Sequence, residues 1–283
     1  MQVWHPQNPC HPETRREAIV CAMDLAIRGR AALVGGASSG LGAAVADALA
    51  AEGCRLLLWS RGGDRLEAAA ARLRDLHGGE VRTVAADAAD HDAASTVIAA
   101  IQELGGVDIV ILNAGGPPTV DPLQTDAEAW RRAFELLAVS HIRIASAALT
   151  GMRERRWGRI VALMSSVVRE PIPVLVYSTA GRSALAGWMK TASAAVAADG
   201  VTINGILTGR FATPRIEEID QDQATREGRP LDDVQADALR AIPAGRYGDP
   251  AELAAVVAFL ASDPARYVTG AFIPVDGGML RGL

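Results

Sequence analysis

Lysine is nearly absent from this chain: of 28 basic residues, Lys190 is the only lysine and the others are arginines. Chemistry that needs a lysine therefore has one place to find it. Cysteine is scarce as well, and Cys10, Cys21 and Cys54 show neither zinc nor redox spacing, so they read as reduced bystanders. His5, His11, His77, His91 and His141 are scattered without a ligand pattern, which predicts no metal. Positive charge is not in excess: the formal net charge is −5, which excludes the concentrated basic stripe of a nucleic-acid surface. No apolar run has the length of a membrane span, and none follows a basic start as in a signal peptide. The chain reads as cytoplasmic, with no membrane partner. It contains no internal repeat of the solenoid kind and no low-complexity tract.

What is present is an alternation of short apolar runs and longer amphipathic segments. With 283 residues and 49% hydrophobic residues there is enough chain for one sizeable core. Strands are expected at 31–35, 55–60, 81–86, 107–112, 159–164, 201–207 and 271–275, and helices at 43–52, 63–77, 91–104, 126–153, 178–198 and 250–262. Buried strands alternating with helices make a parallel sheet covered on both faces. Right-handed crossovers then give an α/β fold: a Rossmann-like, doubly wound parallel sheet of seven strands in a single domain, residues 23–283. Residues 1–22, with Pro6, Pro9 and Pro12, are an N-terminal extension expected to be loosely ordered. The stretch 213–248, rich in Asp, Glu, Gln and Arg, is expected to be irregular and to act as a substrate lid.

The candidate site starts at Gly35-Gly36-Ala37-Ser38-Ser39-Gly40-Leu41-Gly42, between the first strand and the first helix. Glycines at 36, 40 and 42 let backbone approach a pyrophosphate, and the free N–H groups of the following helix offer an anion site. Ligands of such sheets sit beyond the carboxyl ends of the strands. At the end of the second strand, where an acidic residue would hold a ribose 2′-hydroxyl, stands Ser60-Arg61. A guanidinium grips a 2′-phosphate that a carboxylate would repel, which favours NADP over NAD; a solvated arginine in a turn is the alternative.

The spacing Gly-x-x-x-Gly-x-Gly resembles the nucleotide loop of the short-chain dehydrogenase/reductase family, with Gly35 where threonine is usual. Asp87-Ala88 and Asn113-Ala114-Gly115 close the third and fourth strands, as that family's adenine- and ribose-side residues do. The segment from Asn204 through Gly209 to Thr213, together with Ile242–Gly248 and Asp276-Gly277-Gly278, extends the resemblance over residues 24–278. It implies that Thr213 meets the nicotinamide carboxamide, and that catalysis uses an Asn, Ser, Tyr, Lys set with Tyr-x-x-x-Lys on one helix. There the lysine holds the ribose and lowers the phenol pKa.

The catalytic set is where the chain departs from the family. Ser166 is the candidate carbonyl-orienting hydroxyl and Tyr177 the candidate proton donor, but the residue four beyond Tyr177 is Gly181. Lys190 lies roughly 20 Å further along the helix. A second alignment makes Arg182 the lysine equivalent and Ser178 the tyrosine equivalent, while Leu137 occupies the asparagine position. Two outcomes differ in class: an NADP-dependent carbonyl reductase with Tyr177 as acid and Arg182 on the ribose, or a nucleotide-binding protein with a non-redox, regulatory or scaffold role. Val168, Ile172, Pro173, Val174 and Leu175 suggest an apolar lining for a small-molecule substrate. The resemblance further implies pairing through helices 126–153 and 178–198 into a homodimer or homotetramer.

Overall fold

A computed structural model describes residues 23–282; the expected N-terminal extension lies outside the described residues. Seven parallel strands form one sheet in the order β3-β2-β1-β4-β5-β6-β7. They are β1 (Ala31–Gly35), β2 (Arg55–Ser60), β3 (Val81–Ala85), β4 (Ile109–Leu112), β5 (Gly158–Leu163), β6 (Val201–Thr208) and β7 (Phe272–Val275). Strand order reverses between β1 and β4, and the crevice at that switch point is where such sheets bind ligands. β1, β4 and β5 are buried at every residue, which is why β1 and β4 read as unbroken apolar runs and not as alternation; in β5 the buried Arg159 interrupts the run.

Helices cover both faces. On one side lie α1 (Gly40–Ala51), α2 (Gly63–His77) and α9 (Pro250–Leu260), packed on the even-numbered residues of β1 and β2. On the other lie α3 (Ala93–Glu103), α4 (Ala127–Phe134), α5 (Ser140–Glu154) and α6 (Val176–Val196). The limits of α2 are those the apolar spacing of Leu66, Ala70 and Leu73 predicts. Asp249 closes a capping box with Glu252 at the start of α9, and Pro250 fills the first helical position.

Three expectations need correction. The segment 213–248 is largely helical: α7 (Pro214–Glu227) and α8 (Leu231–Ala241) occupy most of it. Its polar composition reflects an exposed surface, while Pro214 starts α7 and left-handed Gly228 (φ 61°) stops it. Helix 126–153 is not one regular α-helix, since residues Glu135–Val139 form a π-helical segment joining α4 to α5. The continuous helix 127–154 is also long and apolar enough to cross a membrane. Here it is a core helix, with Ala133, Leu137, Ile144, Ala148 and Met152 buried against the protein.

Candidate active site

The cofactor half of the cleft is built from backbone. Ser39, extended, is the N-cap of α1, so the first N–H groups of that helix face the crevice. Gly40 (φ 56°) takes a conformation that side chains resist, and a Cβ there would come within 3.5 Å of the Thr213 methyl across the gap. Gly42 lies so near the carbonyl of Gly36 that a side chain would collide with backbone. Leu41 turns back to pack on the core. Asn113 donates from Nδ2 to the Gly35 carbonyl at 3.1 Å, which ties the end of β4 to the glycine turn beside Gly36. Ala114 packs on the core below, and Gly209 lies against the backbone of Asp276.

Toward the adenosine end the Ser60 hydroxyl donates to Ser38 at 2.9 Å. The Arg61 guanidinium lies beside Gly115, across the crevice. A cavity of about 320 Å³ opens next to Ser38, lined also by Arg65 and Arg72. Arg72 pairs with Asp47 at 3.1 Å, whereas among the described residues no carboxylate pairs with Arg61 or Arg65. Two guanidiniums without a counter-ion beside a glycine turn fit a phosphorylated ribose. Sequence reading missed Arg65 because a first-turn helical arginine carries no pattern of its own. Asp87 bends back to accept its own loop's Ala89 N–H at 3.1 Å, and the buried Ala88 carbonyl accepts the Ser140 hydroxyl at 2.8 Å.

At the end of β5 the side chains take over. Arg182 donates from Nη1 to the Leu163 carbonyl at 2.7 Å and from Nε to the Ser178 hydroxyl at 3.2 Å. Residues four apart share a helix face, so Ser178 and Arg182 point the same way. Tyr177 does not join them. It is 3% exposed, stacks edge-on to Trp130 with ring centroids 4.7 Å apart, and accepts the Asp126 N–H at 3.4 Å at the start of α4. One residue turns the helix by about 100°, enough to carry the phenol to the α4 side, so its placement does not meet the expectation of a donor beside Arg182. Of the two serines after β5, Ser166 is 9% exposed. Ser165 is more open and its hydroxyl accepts the Val167 N–H at 3.4 Å.

Beneath this cluster sits His141, one of the histidines without a sequence pattern. It is 3% exposed, its Nδ1 has no hydrogen-bond partner, and its ring packs 5.9 Å from Trp59. Burial, then the nearby Arg182, lowers its pKa to about 4, against the neighbouring backbone of Asn113 and Leu136, which favours the protonated ring. The ring is therefore neutral at pH 7. Arg182 itself is drawn down to about 10 by burial and then by Arg215, and it remains a cation at neutral pH. Cys54 is inert: burial, then Glu52, pushes its thiol up to about 12.

The segment 213–248 is tied down at two points. Asp220 of α7, fully buried, meets Arg210 at 2.5 Å and accepts the Tyr247 hydroxyl at 2.7 Å. Burial and then Asp220 lift the Tyr247 pKa to about 12, so the phenol stays a donor. On the opposite side Arg215 donates to the Pro117 carbonyl at 3.0 Å, joining α7 to the loop after β4. Thr213, the N-cap residue of α7, closes over Gly40.

Residues 36–280 match the family model described as Enoyl-(Acyl carrier protein) reductase. The chain belongs to the short-chain dehydrogenase/reductase family. It is 33% identical over 254 residues to the 3-oxoacyl-[acyl-carrier-protein] reductase FabG of Vibrio cholerae serotype O1, covering 89% of this chain and 98% of that one. It is 34% identical over 248 residues to the short-chain reductase protein NovJ of Streptomyces niveus, covering 87% and 92%. Among solved structures, the L-sorbose reductase of Gluconobacter frateurii, complexed with NADPH and L-sorbose, superposes with a TM-score of 0.87 at 32% identity, covering 92% of this chain and 100% of that one. The chain is thus an NADP-dependent oxidoreductase of the short-chain type.

Proposed function

We propose that this chain binds NADP(H) along the carboxyl edge of β1–β4 and reduces the carbonyl of a small molecule, with Ser178 and Arg182 in place of the usual phenol and ammonium. The observation that carries the reading is the Arg182 Nε to Ser178 hydroxyl bond at the carboxyl end of β5, on the same edge of the parallel sheet as the glycine turn. Arg61 and Arg65 hold the 2′-phosphate, Gly36–Gly42 with Ser38 and Ser39 the pyrophosphate, Asp87 and Ala88 the adenine side. Asn113, Ala114, Gly115, Gly209 and Thr213 border the nicotinamide half. Bound there, the nicotinamide supplies the hydride. The Ser178 oxygen, accepting a bond from a cation, is the better proton donor for it, and its hydrogen is free to reach the carbonyl oxygen. Arg182 stays charged and stabilises the negative charge that gathers on that oxygen. Ser165 or Ser166 supplies a second hydroxyl to orient it.

Loss of NADPH absorbance over a panel of ketones, with Ser178→Ala and Tyr177→Phe compared, tests the assignment. Ser178→Ala lowers kcat by on the order of 10²–10⁴, the usual contribution of a positioned acid, while Tyr177→Phe stays near wild type. The reverse ranking returns the acid role to Tyr177. If no ketone oxidises bound NADPH, the nucleotide-binding, non-redox reading takes over. We further propose a homodimer or homotetramer paired through the long helix 127–154, where Phe134 (37% exposed) and Val139 (38%) present apolar surface.

A further inference from the structure

The first turn of α7 touches both walls of the crevice at the switch point. Thr213, its N-cap residue, holds its methyl 3.5 Å from where a Cβ on Gly40 would stand. Two residues on, the Arg215 guanidinium lies over Gly116, 3.2 Å from the corresponding point, and donates to the Pro117 carbonyl at 3.0 Å. This turn therefore reaches from the glycine turn after β1 to the loop after β4, the two neighbouring strands between which the order reverses.

What fixes that turn lies further along the helix. α7 is largely polar, and its buried residues are Asp220 and Ala224. Asp220 is fully buried. A carboxylate out of reach of water is costly unless its oxygens are met, and here both are. Oδ1 takes Arg210 at 2.5 Å and Oδ2 takes the Tyr247 hydroxyl at 2.7 Å. Those two partners sit on paired segments: Gly248 donates to the Arg210 carbonyl at 2.9 Å, and Ala212 donates to the Gly248 carbonyl at 2.9 Å. Phe211 is buried between them, so close to Gly248 that a Cβ there would stand 2.6 Å from its ring. Gly209, just before, donates to the Val275 carbonyl of β7 at 3.0 Å. Asp220 thus fastens α7 to a short ribbon that is itself tied to the sheet. A buried polar network with every member satisfied specifies one arrangement, and two directional bonds fix the rotation of the helix as well as its depth. Thr213 lies seven residues back, about two turns along the same helix face.

We propose that Asp220 is a positioning residue for the dinucleotide: by fastening α7 to residues 209–213 it holds Thr213 against the glycine turn and so sets the nicotinamide-side wall of the crevice. Both its oxygens are spent on protein partners, so it acts without touching the cofactor. The adenosine side, built on β2 and β3, does not depend on it. Without the fastening, α7 has to be ordered when the cofactor binds, and apparent affinity falls with the fraction of molecules in which it is already in place. This inference rests on the cofactor placement proposed above.

The test compares NADPH with adenosine 2′,5′-bisphosphate, which carries the phosphorylated adenosine and no nicotinamide. Both are titrated calorimetrically into wild type, Asp220→Ala, Asp220→Asn and Tyr247→Phe. Asp220→Ala is expected to raise the Kd of NADPH by about 10-fold, the scale of one lost charge-assisted bond, and to leave that of the fragment unchanged. Asp220→Asn keeps one acceptor oxygen and recovers part of the loss. Tyr247→Phe deletes one of the two bonds and is the variant to read if Asp220→Ala does not fold; it raises the Kd of NADPH alone, by about 3-fold. Equal weakening of NADPH and the fragment overturns the inference, because the substitution then loosens the whole crevice. Variants that bind both ligands as wild type does overturn it too and leave the cofactor reading standing. If wild type binds neither ligand, the cofactor reading falls and this inference with it.

Discussion

The two halves of the sheet's carboxyl edge are built by different means. From β1 to the end of β4 the groups that face the crevice are mostly backbone N–H and carbonyl groups, set by a turn whose glycines tolerate no substituent. From β5 to α7 they are side chains, Ser178 and Arg182 of α6 and Arg215 of α7. Backbone-built recognition leaves a linear mark, since a spacing of glycines is a requirement on neighbouring residues. Side-chain recognition depends on helix rotation, and a single residue of phase decides whether Tyr177 or Ser178 meets the cation.

Three measurements press on that contrast. Arg182→Met removes the positive charge beside the reacting oxygen, and kcat is expected to fall by on the order of 10²–10³, as when one electrostatic donor is lost. Arg182→Lys keeps a charge without the fork, so it is expected to recover part of the rate. An unchanged kcat in the Arg182→Met enzyme would detach the side-chain half from catalysis.

The second concerns acid. His141 has a folded pKa of about 4, below its unfolded value of 6.5, so the unfolded chain takes up the proton first. Its contribution is full above about pH 6.5 and is lost as pH falls toward 4, to a limit of about 3 kcal/mol. Urea midpoints followed across that range are expected to fall more steeply for wild type than for His141→Gln. Parallel curves would place the acid sensitivity elsewhere.

The smallest effect is expected in the backbone-built half, where one side chain is added to many N–H groups. Arg61→Ala should raise the Kd for NADPH by about 10-fold, with Arg65 retaining part of the phosphate grip, and leave that for NADH nearly unchanged. Equal losses for both cofactors would mean that Arg61 does not read the 2′-phosphate.

Much of the fold could be read directly. The boundaries of α2 at Gly63 and His77 follow from its apolar spacing, and the central strands β1 and β4 follow from apolar runs that are buried on both faces. Helix α7 was missed because it is largely polar, whereas α8 does carry a helical apolar spacing, Leu231, Val234 and Ala238, that its Asp-rich start obscured. Polar composition separates exposed from buried residues, but it does not separate helix from loop. The π-helical turn at Glu135–Val139 was missed because it leaves the apolar pattern of the flanking helices intact. His141 looked like a bystander, and only its position under Asn113 and Arg182 makes it part of the site.

Local chemistry along the chain determined the strand and helix alternation, the glycine turn and the anion-binding start of α1, because each of these is a property of residues adjacent in sequence. Tertiary structure decided that Trp130 and the start of α4 take Tyr177, and that Arg182 of α6 reaches the Leu163 carbonyl at the end of β5. Those are matters of helix phase and packing between distant segments, and no local spacing encodes them.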